Sequence, residues 1–322
     1  MAVPAATTQT YAIVGTREDL SDEIYNISPT DTPVLSRIAR VKATQTNHEW
    51  LTDALAAAAS NRRIEGDDAT ALTADPRTRL NNYTQISSKP MNVSGTSRAV
   101  NNAGMEDELS YQVVKRGKEL KNDQEFAITQ NQASSAGGAG TARSSASMES
   151  WIATNRTGVG LTTFTTPGFA SGAVAAPTDA SVTGSVTEAN LKAVIRECYS
   201  VGGSPTMIVV GPGMKQKASG FTGIATQYRE NSGVKQATIL AAAAVYVSDF
   251  GEFRIVPDRF SRDRTLLGID PDLWAVAQLR GVQRETLAKT GDADKTMLIT
   301  EWTLESRNEK GNFKITDINS AL

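Results

Sequence analysis

Two side chains in this sequence carry chemistry that enzymes and metal sites often use, and each occurs once. Cys198 is the single cysteine and His48 the single histidine among 322 residues. A disulfide within the chain is therefore excluded, and the four Cys or His ligands of a structural zinc site are not present. A Ser-His-Asp or Cys-His catalyst would have to use His48. We therefore expect no catalytic residue, no cofactor and no metal, and a protein that is not an enzyme.

The positions of these two residues favour structural roles. His48 is followed by Glu49 in a segment with the pattern of a strand, where neighbours point to opposite faces and cannot easily form an acid-base pair. Cys198 follows Leu191 and Val194 at helical spacing. This position on an apolar stripe favours a small buried hydrophobe over a nucleophile.

Two short motifs do not meet the spacing of the sites they resemble. The glycines of residues 211–215 are too close for a Walker A loop, and Gln216 takes the third glycine position of a dinucleotide fingerprint. Asp292 and Asp294 resemble the start of a calcium loop, but Met297 stands where its glycine is required. We expect a strand-to-helix turn and a solvated turn, respectively.

Charge and apolar runs limit the partners. The chain has 33 Lys and Arg against 35 Asp and Glu, a formal net charge of -2, so no global field attracts nucleic acid or an anionic membrane. No apolar run approaches about 18 residues, as a membrane-spanning helix requires. Residues 1–10 have no pattern of a secretory signal. We expect a soluble intracellular protein with no membrane partner.

The N-terminal part predicts short helices and a long hairpin. One helix begins after Thr16 and another at Thr32, with Pro33 in its first turn and Leu35, Ile38 and Val41 on its apolar face. Such short helices are not stable alone and must dock on another surface.

The hairpin has strands at 48–55 and 83–96 on either side of a polar, charged segment. Pro90 predicts an edge position for the second strand. An isolated hairpin is marginal in water, so this one needs a partner surface, and its charged tip suits a neighbour of complementary charge.

The rest of the chain predicts a mixture of helices and strands. A long helix over 104–131 has an apolar stripe that includes Leu109, Val113 and Leu120. Helix and strand patterns alternate over 187–257, including a helix near 235–243, which indicates a compact α/β unit. Strands follow near 273–279, 297–304 and 313–318.

Three segments resemble the major capsid proteins of tailed bacteriophages. They are TREDLSDEIYNISPTDTPVLSRI at 16–38, HEWLTDALAAAASNRRIEGDDAT at 48–70 and TARSSASMESWIATN at 141–155. They cover about a fifth of the chain, and the order and spacing of the first two are specific to the family.

The resemblance implies an α+β chain with the Hong Kong 97-like capsid fold. Its expected parts are an N-terminal arm (1–47), an extended β-hairpin loop (48–96), a peripheral domain with a spine helix (97–149), an α/β axial domain (150–265) and C-terminal strands returning to the axial and peripheral domains (266–322).

The resemblance also implies a structural protein that self-assembles into the icosahedral head of a tailed double-stranded DNA phage. Expected partners are other copies in hexameric and pentameric capsomers, portal, scaffold or cement proteins, and packaged DNA bound non-specifically. The expected location is the virion capsid, assembled in the bacterial cytoplasm. The inter-subunit contact candidates are Pro33, Leu35, Trp50, Arg62, Arg63, Glu65, Asp67 and Asp68. For Leu35 and Trp50 the alternative is packing within their own core.

Two departures from the family bear on assembly. No lysine lies between Lys42 and Lys89, so covalent bonds from a lysine of the extended loop are not expected. The resemblance begins near residue 16, so we expect a separate scaffold protein or none. Two other functions remain open: an encapsulin-like nanocompartment shell, and an α/β enzyme using residues 187–257.

Overall fold

The computed structural model describes residues 28, 30–66, 68, 76–100, 107–159, 168–181, 183–221 and 245–319. The expected helices after Thr16 and near 235–243 lie outside these residues.

Strands in the described ranges form two larger sheets and two hairpins. The strands are β1 (Ala39–Lys42), β2 (Asn47–Thr52), β3 (Thr78–Tyr83), β4 (Gln85–Ser94), β5 (Arg156–Gly158), β6 (Gly168–Ala170), β7 (Ala173–Ala175), β8 (Met207–Val210), β9 (Val245–Ser248), β10 (Gly251–Pro257), β11 (Leu266–Ile269), β12 (Trp274–Thr286), β13 (Ala293–Ser306) and β14 (Phe313–Thr316). The helices are α1 (Gly95–Ala99), α2 (Glu108–Thr129), α3 (Met148–Trp151), α4 (Glu188–Ser200) and α5 (Pro212–Ser219).

The first sheet has four strands in the order β1-β12-β13-β4. β1 is parallel to β12, and the other neighbours are antiparallel. β4 lies at the edge of this sheet, as Pro90 predicts, because a proline cannot donate a ladder hydrogen bond. Helix α2 packs on this sheet through a cluster that joins Leu109 and Leu120 to Met91, Val93 and Leu298.

Helix α2 is the predicted long helix. Its cap is Asp107, whose carboxylate accepts from the backbone N–H groups of Leu109 and Ser110, which satisfies donors that have no partner inside the helix. Leu109 and Leu120 are buried, and Val113 packs against their cluster, so the predicted stripe is confirmed.

The second sheet has six strands in the order β5-β14-β11-β8-β10-β9. The buried face of α4 covers it with Leu191, Val194, Ile195 and Cys198. Thr187 and Asn190 form a capping box at the start of α4. The predicted turn from β8 into α5 is made by Gly211, the N-cap of the helix, and Pro212 begins the helix.

The hairpin is present, but its strands differ from the prediction. β2 pairs with β3 in an antiparallel register, from Asn47 opposite Tyr83 to Thr52 opposite Thr78. The segment over 85–94 turns away and pairs with β13 instead. The prediction was wrong about β3 because most of its residues are polar, as in a loop, although Asn81 and Asn82 are buried in the structure.

The helix predicted from Thr32 is also wrong in its extent. It is a single helical turn, in which the N–H of Ser36 donates to the oxygen of Thr32 at 3.1 Å. The chain is extended by Ala39, where β1 begins beside β12. Pairing with β12 outweighs the helical spacing of Val41, because the sheet supplies backbone partners that a short free helix lacks.

Three tryptophans fill the main core. Trp151, Trp274 and Trp302 are each almost fully buried, in a cluster that also contains Leu35 and Ile38. Within the described residues, no helix is long and apolar enough to cross a membrane.

Candidate inter-subunit surface at the extended loop

The base of the extended loop is fixed to strand β13 by an aromatic side chain and a histidine–carboxylate contact. The indole N–H of Trp50 donates to the backbone oxygen of Ser306 at 2.8 Å, and its ring lies 5.4 Å from that of Trp151. The Nε2 atom of His48 lies 3.0 Å from a carboxylate oxygen of Glu305. The His48 hydrogen bond lowers the pKa of Glu305. These contacts therefore fix the base of the hairpin formed by β2 and β3 against β13.

Glu49 lies on the opposite side of the strand from His48. Its carboxylate is 3.4 Å from an Arg79 guanidinium nitrogen on β3, while His48 faces Glu305. The prediction that His48 and Glu49 cannot cooperate is confirmed by these separate partners.

A second group of buried polar residues lies where the loop joins the sheet. We call it the root network, and its members are Asn82, Thr84, Ser145, Glu301 and Thr303. All five are buried, and their hydrogen bonds join β3 and the corner after it to β13. Sequence reasoning did not identify this network, because its members lie far apart in the chain.

The tip of the loop is exposed. Every described residue from Asp53 to Gly66 is exposed, including Leu55 at 100% and Ile64 at 82% of their reference areas. Gly66 has a φ of 84°, a left-handed conformation that glycine adopts without strain. Exposed apolar side chains on an unsupported loop are typical of a surface that a partner covers.

The predicted charged residues occupy this tip. Arg62, Arg63, Glu65 and Asp68 are exposed, and Asp67 lies outside the described residues. Arg62 donates to the hydroxyl of Ser60 at 3.4 Å. Within the described ranges, these four residues form no ion pair.

The three remaining candidates lie with the body of the chain. Leu35 is 4% exposed and belongs to the main core. Trp50 is half-buried against the same cluster, and Pro33 is half-buried in the helical turn. The structure thus brings Leu35 and Trp50 to one cluster inside their own chain. Their contact with a neighbouring copy stays a prediction.

The spine helix α2 holds this turn through a residue that sequence reasoning missed. The two carboxylate oxygens of Glu125 accept from the N–H groups of Val34 and Leu35, each at 2.7 Å. Glu125 is fully buried, and burial raises its pKa from 4.5 to about 7, although the two donors act in the opposite direction. No local signal marks this residue, because its partners are about 90 positions away.

The exposed residues of α2, outside the stripe of Leu109 and Leu120, include three lysines. Lys115, Lys118 and Lys121 are exposed, and the described residues contain no ion-pair partner for them. Val114 is 61% and Phe126 53% exposed on the same helix. We call these five residues the spine-helix face. It combines cations with apolar area, and the loop tip combines apolar area with charges of both signs.

The described residues show no metal-binding cluster and no reactive thiol. They contain no group of three His, Cys, Asp or Glu side chains placed to hold a metal ion. Cys198 is buried, and burial raises the pKa of its thiol to about 11, so the nucleophilic thiolate is disfavoured.

Comparisons with known proteins agree with one another. The family model described as SU10 major capsid protein matches residues 5–319. The major capsid protein of Escherichia phage Phieco32 is 26% identical over 330 residues, covering 91% of this chain and 92% of the relative.

Two solved capsid structures are similar to this chain in fold. The capsid of a native GTA particle matches with a TM-score of 0.61 at 12% identity, covering 98% of this chain and all of that chain. The capsid of cyanophage P-SCSP1u matches with a TM-score of 0.59 at 10% identity and the same coverage. These likenesses confirm the expected capsid fold.

Proposed function

The chain belongs to the SU10 major capsid protein family and is a structural major capsid protein of a tailed phage, and we propose that its extended loop and N-terminal arm join neighbouring copies into an icosahedral head. The observation that carries this proposal is the extended loop. Its base is fixed to the fold, while its tip exposes apolar and charged side chains from Asp53 to Gly66.

The loop has the energetics of a segment that is ordered by a partner. Holding each residue of an unsupported loop in one conformation costs about 1–2 kcal/mol, and the described tip residues form few contacts that offset this cost. Burial of Leu55 and Ile64 against a neighbour would contribute about 1.5–3 kcal/mol for each side chain. A shell repeats the same weak contact many times, so modest contacts are sufficient.

The partner surface that best matches the tip is the spine-helix face of a second copy. The tip carries the exposed carboxylates of Glu65 and Asp68, and the helix presents Lys115 and Lys118. Each exposed ion pair contributes about 0–1 kcal/mol, so the charges fix the orientation and specificity of docking, while apolar burial supplies the affinity.

Electron microscopy tests the assembly itself. Purified protein should form capsomers or shells across a range of salt concentrations, with or without a scaffold protein. Trypsin cleavage adds a second measurement. Arg62 and Arg63 are exposed in the isolated chain, so trypsin should cleave the chain after them quickly before assembly and slowly once shells have formed. A protein that stays monomeric under all these conditions would refute the proposal.

A charge exchange tests the docking surface. The double variant Glu65→Lys/Asp68→Lys should weaken assembly, and adding Lys115→Glu/Lys118→Glu should restore it. Arg284→Glu, an exposed change on β12, is the matched control. If the four changes together assemble no better than the tip pair alone, the tip does not dock on these lysines.

The variant Arg62→Glu/Arg63→Glu examines the arginines of the tip separately. It should fold normally but assemble less well. Unchanged assembly would exclude a charged contact by these two arginines.

The finer parts of the function follow from the family and the fold. We propose axial domains over 150–265 that meet in hexamers and pentamers, a non-covalent shell, and portal, scaffold or cement proteins as further partners. Packaged DNA would touch the shell non-specifically, and assembly would take place in the host cytoplasm. Membership of a phage capsid family favours this function over a nanocompartment shell, and a structural role over an α/β enzyme.

A further inference from the structure

The corner between the hairpin and the sheet is held by buried side-chain hydrogen bonds in addition to the pairing of its strands. Thr84 is the single residue between β3 and β4. Its N–H donates to the oxygen of Thr46 at 2.8 Å, and its hydroxyl donates to a carboxylate oxygen of Glu301 at 2.8 Å. The chain thus leaves the hairpin through one residue that is bonded on both sides.

Glu301 connects this corner to two other segments. The oxygen that accepts from Thr84 also accepts from Arg143 at 2.5 Å, in the segment after α2. The second oxygen accepts from Nε of Arg280 on β12 at 3.0 Å. Glu301 is 4% exposed, and charge-assisted hydrogen bonds of this kind are short and strongly directional.

Asn82 makes a similar connection two residues earlier on the hairpin. Its amide nitrogen donates to the oxygen of Leu304 at 2.7 Å and to the hydroxyl of Ser145 at 3.2 Å. Its oxygen accepts from the N–H of Ala146 at 3.0 Å. Ser145 in turn lies 3.1 Å from the hydroxyl of Thr303. Asn82 and Thr84 therefore hold one side of the hairpin against β13.

Because this contact consists of buried hydrogen bonds, it restricts the angle between the hairpin and the sheet. Apolar side chains can slide past one another with little change in energy, whereas a buried donor or acceptor that loses its partner costs about 1–3 kcal/mol. A small tilt of the hairpin would stretch several of these bonds together, so the network resists a change of angle. A two-stranded hairpin has little stiffness of its own.

We infer that Asn82, Thr84 and Glu301 are positioning residues, which set the angle at which the extended loop leaves the body of the subunit. The inference rests on the proposed function, because the angle matters when the tip must meet a neighbouring copy. Thr84 lies at the corner about which the hairpin would tilt. Glu301 connects this corner to Arg143 and Arg280, and Asn82 keeps the hairpin from rotating about the corner.

The angle can be measured without assembly. Spin labels at Leu51→Cys on the hairpin and Lys118→Cys on α2 replace two exposed side chains. Cys198 is buried and stays unlabelled in the folded protein. Pulsed dipolar spectroscopy then gives the distance distribution between hairpin and helix, and its width reports the range of angles.

Thr84→Val removes the hydroxyl with little change of shape, and Thr84→Ser is the matched control that restores it. We expect Thr84→Val to broaden the distribution by at least about twofold, since one directional bond at the corner is lost, and Thr84→Ser to keep the wild-type width. A Thr84→Val protein that folds and keeps a narrow distribution would overturn the inference.

Arg143→Gln is a second variant in case Thr84→Val does not fold. Arg143 is partly exposed, so its replacement leaves no deeply buried vacancy, and it removes one of the two arginines on Glu301. It should broaden the distribution in the same direction but less. An unchanged width in this variant would also refute the network as the source of the angle.

Assembly measurements separate this inference from the proposed function. If wild type forms shells but the variants keep a narrow distribution, the positioning role is wrong and the capsid function stands. If wild type forms no shells, the capsid proposal fails, while the distance measurement still decides the role of Thr84.

Discussion

The buried carboxyl of Glu125 should make the stability of this subunit decrease as the pH rises through neutrality. Its pKa in the folded protein is about 7, against an ordinary 4.5, because burial disfavours the charged form. A carboxyl whose pKa is raised binds its proton more tightly in the folded state. Its contribution to stability is therefore fully present below about pH 4.5 and is lost as the pH passes 7.

The magnitude follows from these two pKa values. One pKa unit corresponds to about 1.4 kcal/mol. Between pH 5 and pH 8 the unfolded chain has largely released this proton already, whereas the folded protein releases it within the interval. The free energy of unfolding should therefore fall by about 2–3 kcal/mol through Glu125 alone.

Glu125→Gln separates this effect from those of other groups. Urea unfolding of wild type and variant at pH 5 and pH 8 gives four free energies, and the difference of differences isolates the titration. Burial also raises the pKa of Glu149, whose contribution largely cancels in this comparison, whereas Asp258 raises the pKa of Glu125 and is part of the titration that is measured. The glutamine replaces one acceptor by a donor, so the variant should be less stable at pH 5, and the gap should narrow at pH 8.

The same measurement can refute the reasoning. If the gap between wild type and Glu125→Gln is equal at the two pH values, Glu125 does not titrate near neutrality in the folded chain. If the gap widens with pH, the effect has the opposite sign to that expected from burial, and the raised pKa of Glu125 is likewise refuted.

Three further predictions concern the second sheet. Gly268→Ala should destabilise the fold by about 3 kcal/mol, since its added Cβ would lie 2.2 Å from the Phe313 ring. Gly281→Ala, with no atom within 4 Å of its Cβ, should be neutral, and thermal unfolding compares the two. Burial lowers the pKa of Lys314 to about 8, so stability should rise between about pH 8 and 10 in wild type but not in Lys314→Met. Urea midpoints measure this, and an equal rise in the variant would exclude Lys314. Cys198 should react with a thiol reagent only after unfolding, and fast modification of the native protein would contradict its burial.

Local patterns were sufficient for several elements of the fold. The place of Cys198 on an apolar helical stripe, the apolar stripe of α2 and the edge position of Pro90 each depend on neighbours within a few residues. These features could be predicted because propensity, capping and periodicity are properties of short windows of sequence. The charged tip of the loop could also be predicted from a short window of sequence, since its exposure follows from its own polar and charged composition.

The features that were missed depend on partners far away in the chain. The helix predicted beyond Thr32 gives way to β1 because β12, more than 200 residues later, supplies a strand partner. Glu125 and Glu301 have the composition of surface residues, yet both are buried with partners from other segments. A single sequence has no signal for such pairs, because each partner looks ordinary in its own window.

The order of strands in the six-stranded sheet also bears on how the subunit is made. β14, at Phe313–Thr316, lies between β5 and β11 rather than at an edge. A nascent chain that has emerged only through β13 would leave β5 detached and one side of β11 without backbone partners. This sheet can therefore close only after β14 has been synthesised. A chain that stops before β14 would lack the strand that joins β5 to the rest of the sheet.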